Sequence, residues 1–161
     1  MFVSQTVTMR VATTTAMSLA LAGCADITNA PAPDPSKTLN EMVFRCAAEP
    51  VLITQCSYSA CHGKTDSALR VYSLGKLRTP PATDSLTASA PLTEAEEHAN
   101  FLSAAAFATY NVAPVDNWLL KKPLPAANGG FEHVGGAIFT GTGDPGYVAI
   151  FKWLNGATAC N

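Results

Sequence analysis

Two thiols and an imidazole lie close together in an otherwise apolar stretch: Cys56-Ser57-Tyr58-Ser59-Ala60-Cys61-His62-Gly63. Such a set offers several chemistries. The thiols can oxidise to a small disulfide loop, which would leave His62 as an ordinary loop residue. With one more ligand, Cys56, Cys61 and His62 have the donor types of a zinc site, although thiolates outside the cytoplasm tend to oxidise. The remaining histidines are His98 and His133, and the remaining cysteines are Cys24, Cys46 and Cys160. A chain that uses Cys24 separately keeps four, which allows two disulfides, Cys46 to Cys160 and Cys56 to Cys61. That arrangement describes a disulfide-stapled binding or structural module without a cofactor.

Cys24 is set apart by what precedes it. Residues 1–23 hold one charge, Arg10, and then an uncharged stretch from Val11 to Gly23 that is too short and too rich in threonine for a permanent span. The stretch ends in Leu21-Ala22-Gly23-Cys24, which resembles the bacterial lipobox, where small residues fit a peptidase pocket and the thiol is acylated. Residues 1–23 are therefore expected to be a lipoprotein signal peptide, with Cys24 the lipidated residue and the membrane anchor. Anchoring by acyl chains contributes about 0.8 kcal/mol per buried CH₂. Residues 24–38, with Pro31, Pro33 and Pro35 and little to bury, read as a flexible tether. Ala25 in place of Asp favours, by resemblance to the enterobacterial sorting rule, the outer membrane, with the protein facing the periplasm or the cell surface of a bacterial envelope.

Residues 39–161 are expected to form one domain of about 120 residues with a modest core. Charged residues make up 14% of the chain, the net charge is −2, and there is no basic run with interleaved aromatics, which argues against nucleic-acid binding.

The histidine directly after Cys61 gives the thiol pair a more specific likeness. Cys61-His62-Gly63 resembles the second half of a c-type haem attachment site, with four residues between the cysteines where two are usual. Further segments follow in order: Pro50-Val51-Leu52, the run Trp118-Leu119-Leu120-Lys121-Lys122-Pro123-Leu124, His133-Val134-Gly135-Gly136, Tyr147, and Trp153-Leu154-Asn155-Gly156-Ala157. Over roughly Val43 to Ala157 the chain is similar to single-haem, planctomycete-type cytochrome c domains. The resemblance implies a covalent haem c held through Cys56 and Cys61, with His62 as the proximal iron ligand. It also implies electron transfer with a redox partner protein rather than catalysis. If haem uses those two thiols, the natural pairing of the others is a Cys46–Cys160 disulfide.

The second axial ligand is expected to be His133, in a loop where Gly129, Gly130, Gly135 and Gly136 let backbone approach a flat group. Met1, Met9 and Met17 leave with the signal, and Met42 precedes the attachment site. His98, which follows two glutamates on a helix, reads as a surface residue. An open distal position would admit small ligands or peroxide, but no base and polar group for peroxide chemistry stands out.

These residues must be placed by helices, since no alternating strand pattern competes and the fold class expected is mainly α, a small cytochrome c-like helical domain with long loops. A first helix is expected over 39–48, with Pro50 breaking or restarting it before a second turn over 51–55. Residues 67–77 read as short helix or irregular chain, and 79–91 as a proline-rich loop. Thr93-x-x-Glu96 predicts a capping box opening a helix over 94–110, rich in small residues beside Phe101, Leu102 and Phe107. A short helix capped by Asp116 should carry Trp118, Leu119 and Leu120 up to Pro123. The last helix should start at Asp144-Pro145, turn Tyr147, Ile150, Phe151, Trp153 and Leu154 inward, and end at Gly156.

Overall fold

A computed structural model of the chain describes residues 39–108 and 112–160. The expected signal segment, Cys24, the tether and Tyr110 lie outside the described residues. Among the described residues the regular structure is entirely helical, so the domain is mainly α. No described helix is long and apolar enough to cross a membrane.

The first helical stretch, α1, consists of four consecutive segments: Glu41–Val43, Phe44–Ala48, Glu49–Val51 and Leu52–Cys56. Asn40 caps it, its side chain accepting the Val43 amide at 3.1 Å. Val43, Phe44, Ala48 and Leu52 recur at close to helical spacing and are buried. Pro50 does not break the helix. The chain widens to π geometry over Phe44–Ala48 and again over Leu52–Cys56, and the Glu49 amide reaches back five residues to the Phe44 carbonyl. The wider turn makes room for the proline ring that an unbroken α-turn would meet.

An irregular segment follows, including residues 67–77, up to α2, Ser85–Ser89, which interrupts the expected loop. Asp84 caps α2 by accepting the Thr87 amide at 2.8 Å. Helix α3, Glu94–Ala105, opens with the full capping box between Thr93 and Glu96 and ends in a turn earlier than the spacing predicted. Helix α4 is Trp118–Lys121 and is preceded by a 3₁₀ turn at Pro114–Asp116. Its cap is Asn117 rather than Asp116, with the Asn117 Oδ1 accepting from the Leu119 amide at 3.0 Å. Asp116 is instead turned toward Lys121, 3.0 Å from Nζ. After a 3₁₀ turn at Ala126–Asn128, helix α5 covers Pro145–Leu154, with Asp144 as cap and Gly156 in the left-handed region beyond its end.

Helix α5 packs mainly on the Phe44–Ala48 segment of α1. Trp153 is wholly buried and has its ring 5.0 Å from Phe44 and 6.3 Å from Phe101, so α1, α3 and α5 meet in one aromatic cluster. Edge-on and tilted pairs of this kind add about 0.5–1.5 kcal/mol each beyond area burial. A Cys46–Cys160 disulfide, with Cα atoms 5.9 Å apart, joins α1 to the chain beyond α5. Two buried polar networks tie the irregular segment to α3. Glu49 and the Tyr72 backbone share Asn100, and Arg78 pairs with Glu96 at 2.9 Å while donating to the carbonyls of Thr87, Ala88, Ala90 and Pro91.

Candidate functional site

The end of α1 delivers Cys56 and a closed loop. The Ser57 hydroxyl donates to the Ile53 carbonyl and accepts from the Lys76 ammonium at 2.9 Å, and that ammonium also lies 4.1 Å from the centre of the Tyr58 ring. The Cys61 and Gly63 amides both donate to the Tyr58 carbonyl, at 2.8 and 3.0 Å, and the His62 amide reaches back to the Cys56 carbonyl at 3.2 Å. The four residues between the thiols thus fold into a turn that leaves Cys56 and His62 adjacent. Gly63 is required there: a Cβ at this position would lie 2.0 Å from the Ser57 carbonyl oxygen.

His62 is half-buried, and its Nδ1 lies 2.9 Å from the Leu69 carbonyl and 3.2 Å from the Ser67 hydroxyl. A carbonyl only accepts, so Nδ1 carries the proton and Nε2 keeps its lone pair. Burial is the main influence lowering the imidazole pKa and favours the neutral ring; His133 and Lys64 act in the same direction, against the Leu69 hydrogen bond, which raises the pKa.

His133 is carried on the chain between α4 and α5. This chain is strapped to the residues at the end of α4: the Phe131 amide donates to the Lys121 carbonyl at 2.8 Å, and the Ile138 and Phe139 amides to the Pro123 carbonyl at 2.8 and 3.0 Å. His133 Nδ1 lies 3.1 Å from the Gly136 carbonyl, which again places the proton on Nδ1 and leaves Nε2 free. Gly135 permits this, since a Cβ there would sit 3.1 Å from the ring Cε1.

The two imidazoles face one cavity of about 310 Å³, whose walls include Leu69, Phe107, Trp118, Leu119, Pro123 and Val134. Cys56 also lines it, whereas Cys61 is not part of the lining. The ring centroids of His62 and His133 are 6.1 Å apart and their planes differ by 7°.

Cys56 and Cys61 are free thiols. Burial, with Cys61 nearby, pushes the Cys56 pKa up to about 11, so this thiol stays protonated at neutral pH. Among the described residues no three His, Cys, Asp or Glu side chains gather to hold a metal ion, so Cys56, Cys61 and His62 do not converge with a fourth ligand as a zinc site would need. His98 lies on the exposed face of α3, 3.0 Å from Glu41, away from the cavity.

The structure therefore brings Cys56, His62 and His133 to one cavity whose lining does not include Cys61, and joins Cys46 to Cys160 elsewhere. The residues that orient His62, the Ser67 hydroxyl and the Leu69 carbonyl, lie in irregular chain where no periodicity marks them. Comparison with protein families, with characterised proteins and with solved structures finds no match.

Proposed function

We propose that this chain is a bacterial lipoprotein, anchored through lipid on Cys24, whose domain holds one covalent haem c between His62 and His133 and passes electrons to a partner protein in the cell envelope. The observation that carries this reading is the pair of near-parallel imidazoles, 6.1 Å apart, that line one largely apolar cavity together with Cys56. Haem, when bound, supplies a one-electron iron couple.

The chain's residues would then have distinct tasks. Cys56 and Cys61 each add their S–H bond across a vinyl double bond, the sulfur joining one carbon and the hydrogen the other, which leaves two thioethers and no net redox change. The Leu69 and Gly136 carbonyls hold the two imidazoles in the tautomer that offers Nε2. Leu69, Phe107, Leu119 and Pro123 supply the apolar walls that exclude water from a macrocycle. Two histidines stabilise ferric iron better than a histidine and a methionine, so a lower potential than that of a Met-ligated cytochrome c is expected. The reading is of an electron carrier rather than an enzyme.

The test is expression in a host equipped for cytochrome c maturation, followed by a visible spectrum and a haem-stained denaturing gel. A Soret band and stain that survive denaturation, both lost in Cys56→Ser/Cys61→Ser, are the expected result. A colourless protein with Cys56 and Cys61 joined to each other would overturn it in favour of a disulfide-stapled binding module.

A further inference from the structure

The two histidines are held very differently. The His62 ring is fixed from outside its own turn, by the Leu69 carbonyl and the Ser67 hydroxyl, and the His62 carbonyl accepts the Val71 amide at 2.8 Å. His133 makes its side-chain hydrogen bond within its own turn. Its Nδ1 bonds to the Gly136 carbonyl, and the Gly136 amide returns to the His133 carbonyl at 2.8 Å, so ring and turn form a self-contained unit. Val134, Gly135 and Gly136 are exposed. The straps to Lys121 and Pro123 hold the flanks, at Phe131 and at Ile138 and Phe139, and between them the cross-link to α4 and the residues after it is the exposed bond from Lys122 Nζ to the Glu132 carbonyl, at 3.1 Å.

Behind the turn lies a second cavity of about 380 Å³, walled by Leu124, Pro125, Ala126, Phe131, Gly136 and Ala137. Glu132 and His133 line both cavities, so these two residues are the partition between them. A turn that carries its own hydrogen bonds can retreat into that space without leaving a buried polar group unpaired. His62 has no such freedom.

Resting on the haem reading, we infer that the His133 side is a binding site for a small neutral diatomic molecule, and that His133 vacates the iron by moving toward the second cavity. The class of ligand follows from the walls. Leu69, Phe107, Leu119 and Val134 favour an apolar guest, and the Lys122 ammonium, the cation in this lining, is already engaged by the Glu132 carbonyl.

Carbon monoxide is the probe, mixed with the reduced, haem-loaded protein and followed by the Soret shift. The expected rate rises with carbon monoxide and then saturates, because departure of His133 becomes limiting. In His133→Ala the rate should be faster and linear in concentration. Ala137→Leu, which fills the second cavity, should lower the saturating rate by about tenfold, equivalent to about 1.4 kcal/mol in barrier, without changing the rate in a His133→Ala background. Photolysis of the wild-type complex gives the same limiting rate if Ala137→Leu fails to fold. The inference is overturned if wild type refuses carbon monoxide that His133→Ala accepts, since His133 is then a fixed ligand. It is equally overturned if both bind at the same linear rate, since His133 then does not occupy the site. A protein without a Soret band would instead overturn the haem reading, so the two failures are distinguishable.

Discussion

Gly63 carries a heavy demand for a residue with no side chain. It allows the chain to pass against the Ser57 carbonyl immediately after His62, and this contact holds the turn between the thiols closed. A methyl group here meets backbone, which cannot rotate away. Gly63→Ala is therefore expected to destabilise the domain by about 1–3 kcal/mol, the usual cost of overpacking, and to reduce covalent haem attachment. Urea unfolding of the haem-free protein measures the first effect and a haem-stained gel the second. Unchanged behaviour in both would mean that the turn is not built as described. At this scale much of the site was legible in the sequence. Cys61-His62-Gly63 and the glycines around His133 stand out because their residue types are uncommon in an apolar helical chain. The partners of the histidines were not legible, because two are backbone carbonyls, which every residue possesses.

Helix α3 shows what a motif discloses and what it hides. The spacing Thr93-x-x-Glu96 announced the capping box, and both of its arms are formed. Glu96 also closes a buried ion pair with Arg78, eighteen positions earlier across a proline-rich loop, a separation with no periodic signature. Burial raises the Glu96 pKa, but the Arg78 guanidinium and the amides of Thr93 and Thr79 outweigh it and hold the carboxyl at about 2. Because the folded pKa is depressed, the stability this group contributes is fully present above the ordinary carboxylate range, near 4.5, and is lost as pH falls toward 2. Glu96→Gln leaves Arg78 buried without its counter-charge and should cost about 3–5 kcal/mol at neutral pH. Urea midpoints across this range should show the difference between wild type and variant shrinking as the pH falls from about 5 to 2. A constant difference would contradict the account. The same loop hid α2, whose Asp84 cap three residues before Thr87 is a helix-start signal outweighed by the surrounding prolines. The continuity of α1 past Pro50 was hidden too, because π-widening leaves no mark on residue type.

At the scale of the whole molecule, the Cys46–Cys160 bond joins residues 114 positions apart and closes nearly the entire domain. A loop of that length is worth about 4–5 kcal/mol in the chain-entropy model, so Cys160→Ser should lower unfolding stability by an amount of that order, in protein with or without haem. A loss well under 1 kcal/mol, measured by urea denaturation, would show that the unfolded chain gains little from being released. The aromatic meeting of Phe44, Phe101 and Trp153 holds α1, α3 and α5 together independently of the bond, and it was legible as periodicity in α5 and as Phe101 in α3. The proposed anchor gives a separate prediction. Cys24→Ala should move the protein from the membrane fraction to the soluble fraction without altering its visible spectrum, and fractionation followed by spectroscopy checks both.

The most direct measurement of the central claim is the intact mass of the protein, purified from a maturation-competent host and analysed under denaturing and reducing conditions. The account predicts a gain of roughly 600 Da over the lipidated polypeptide, with peptide mapping that places the addition on Cys56 and Cys61. A mass equal to the lipidated chain alone, with both thiols recovered free after reduction, would contradict it.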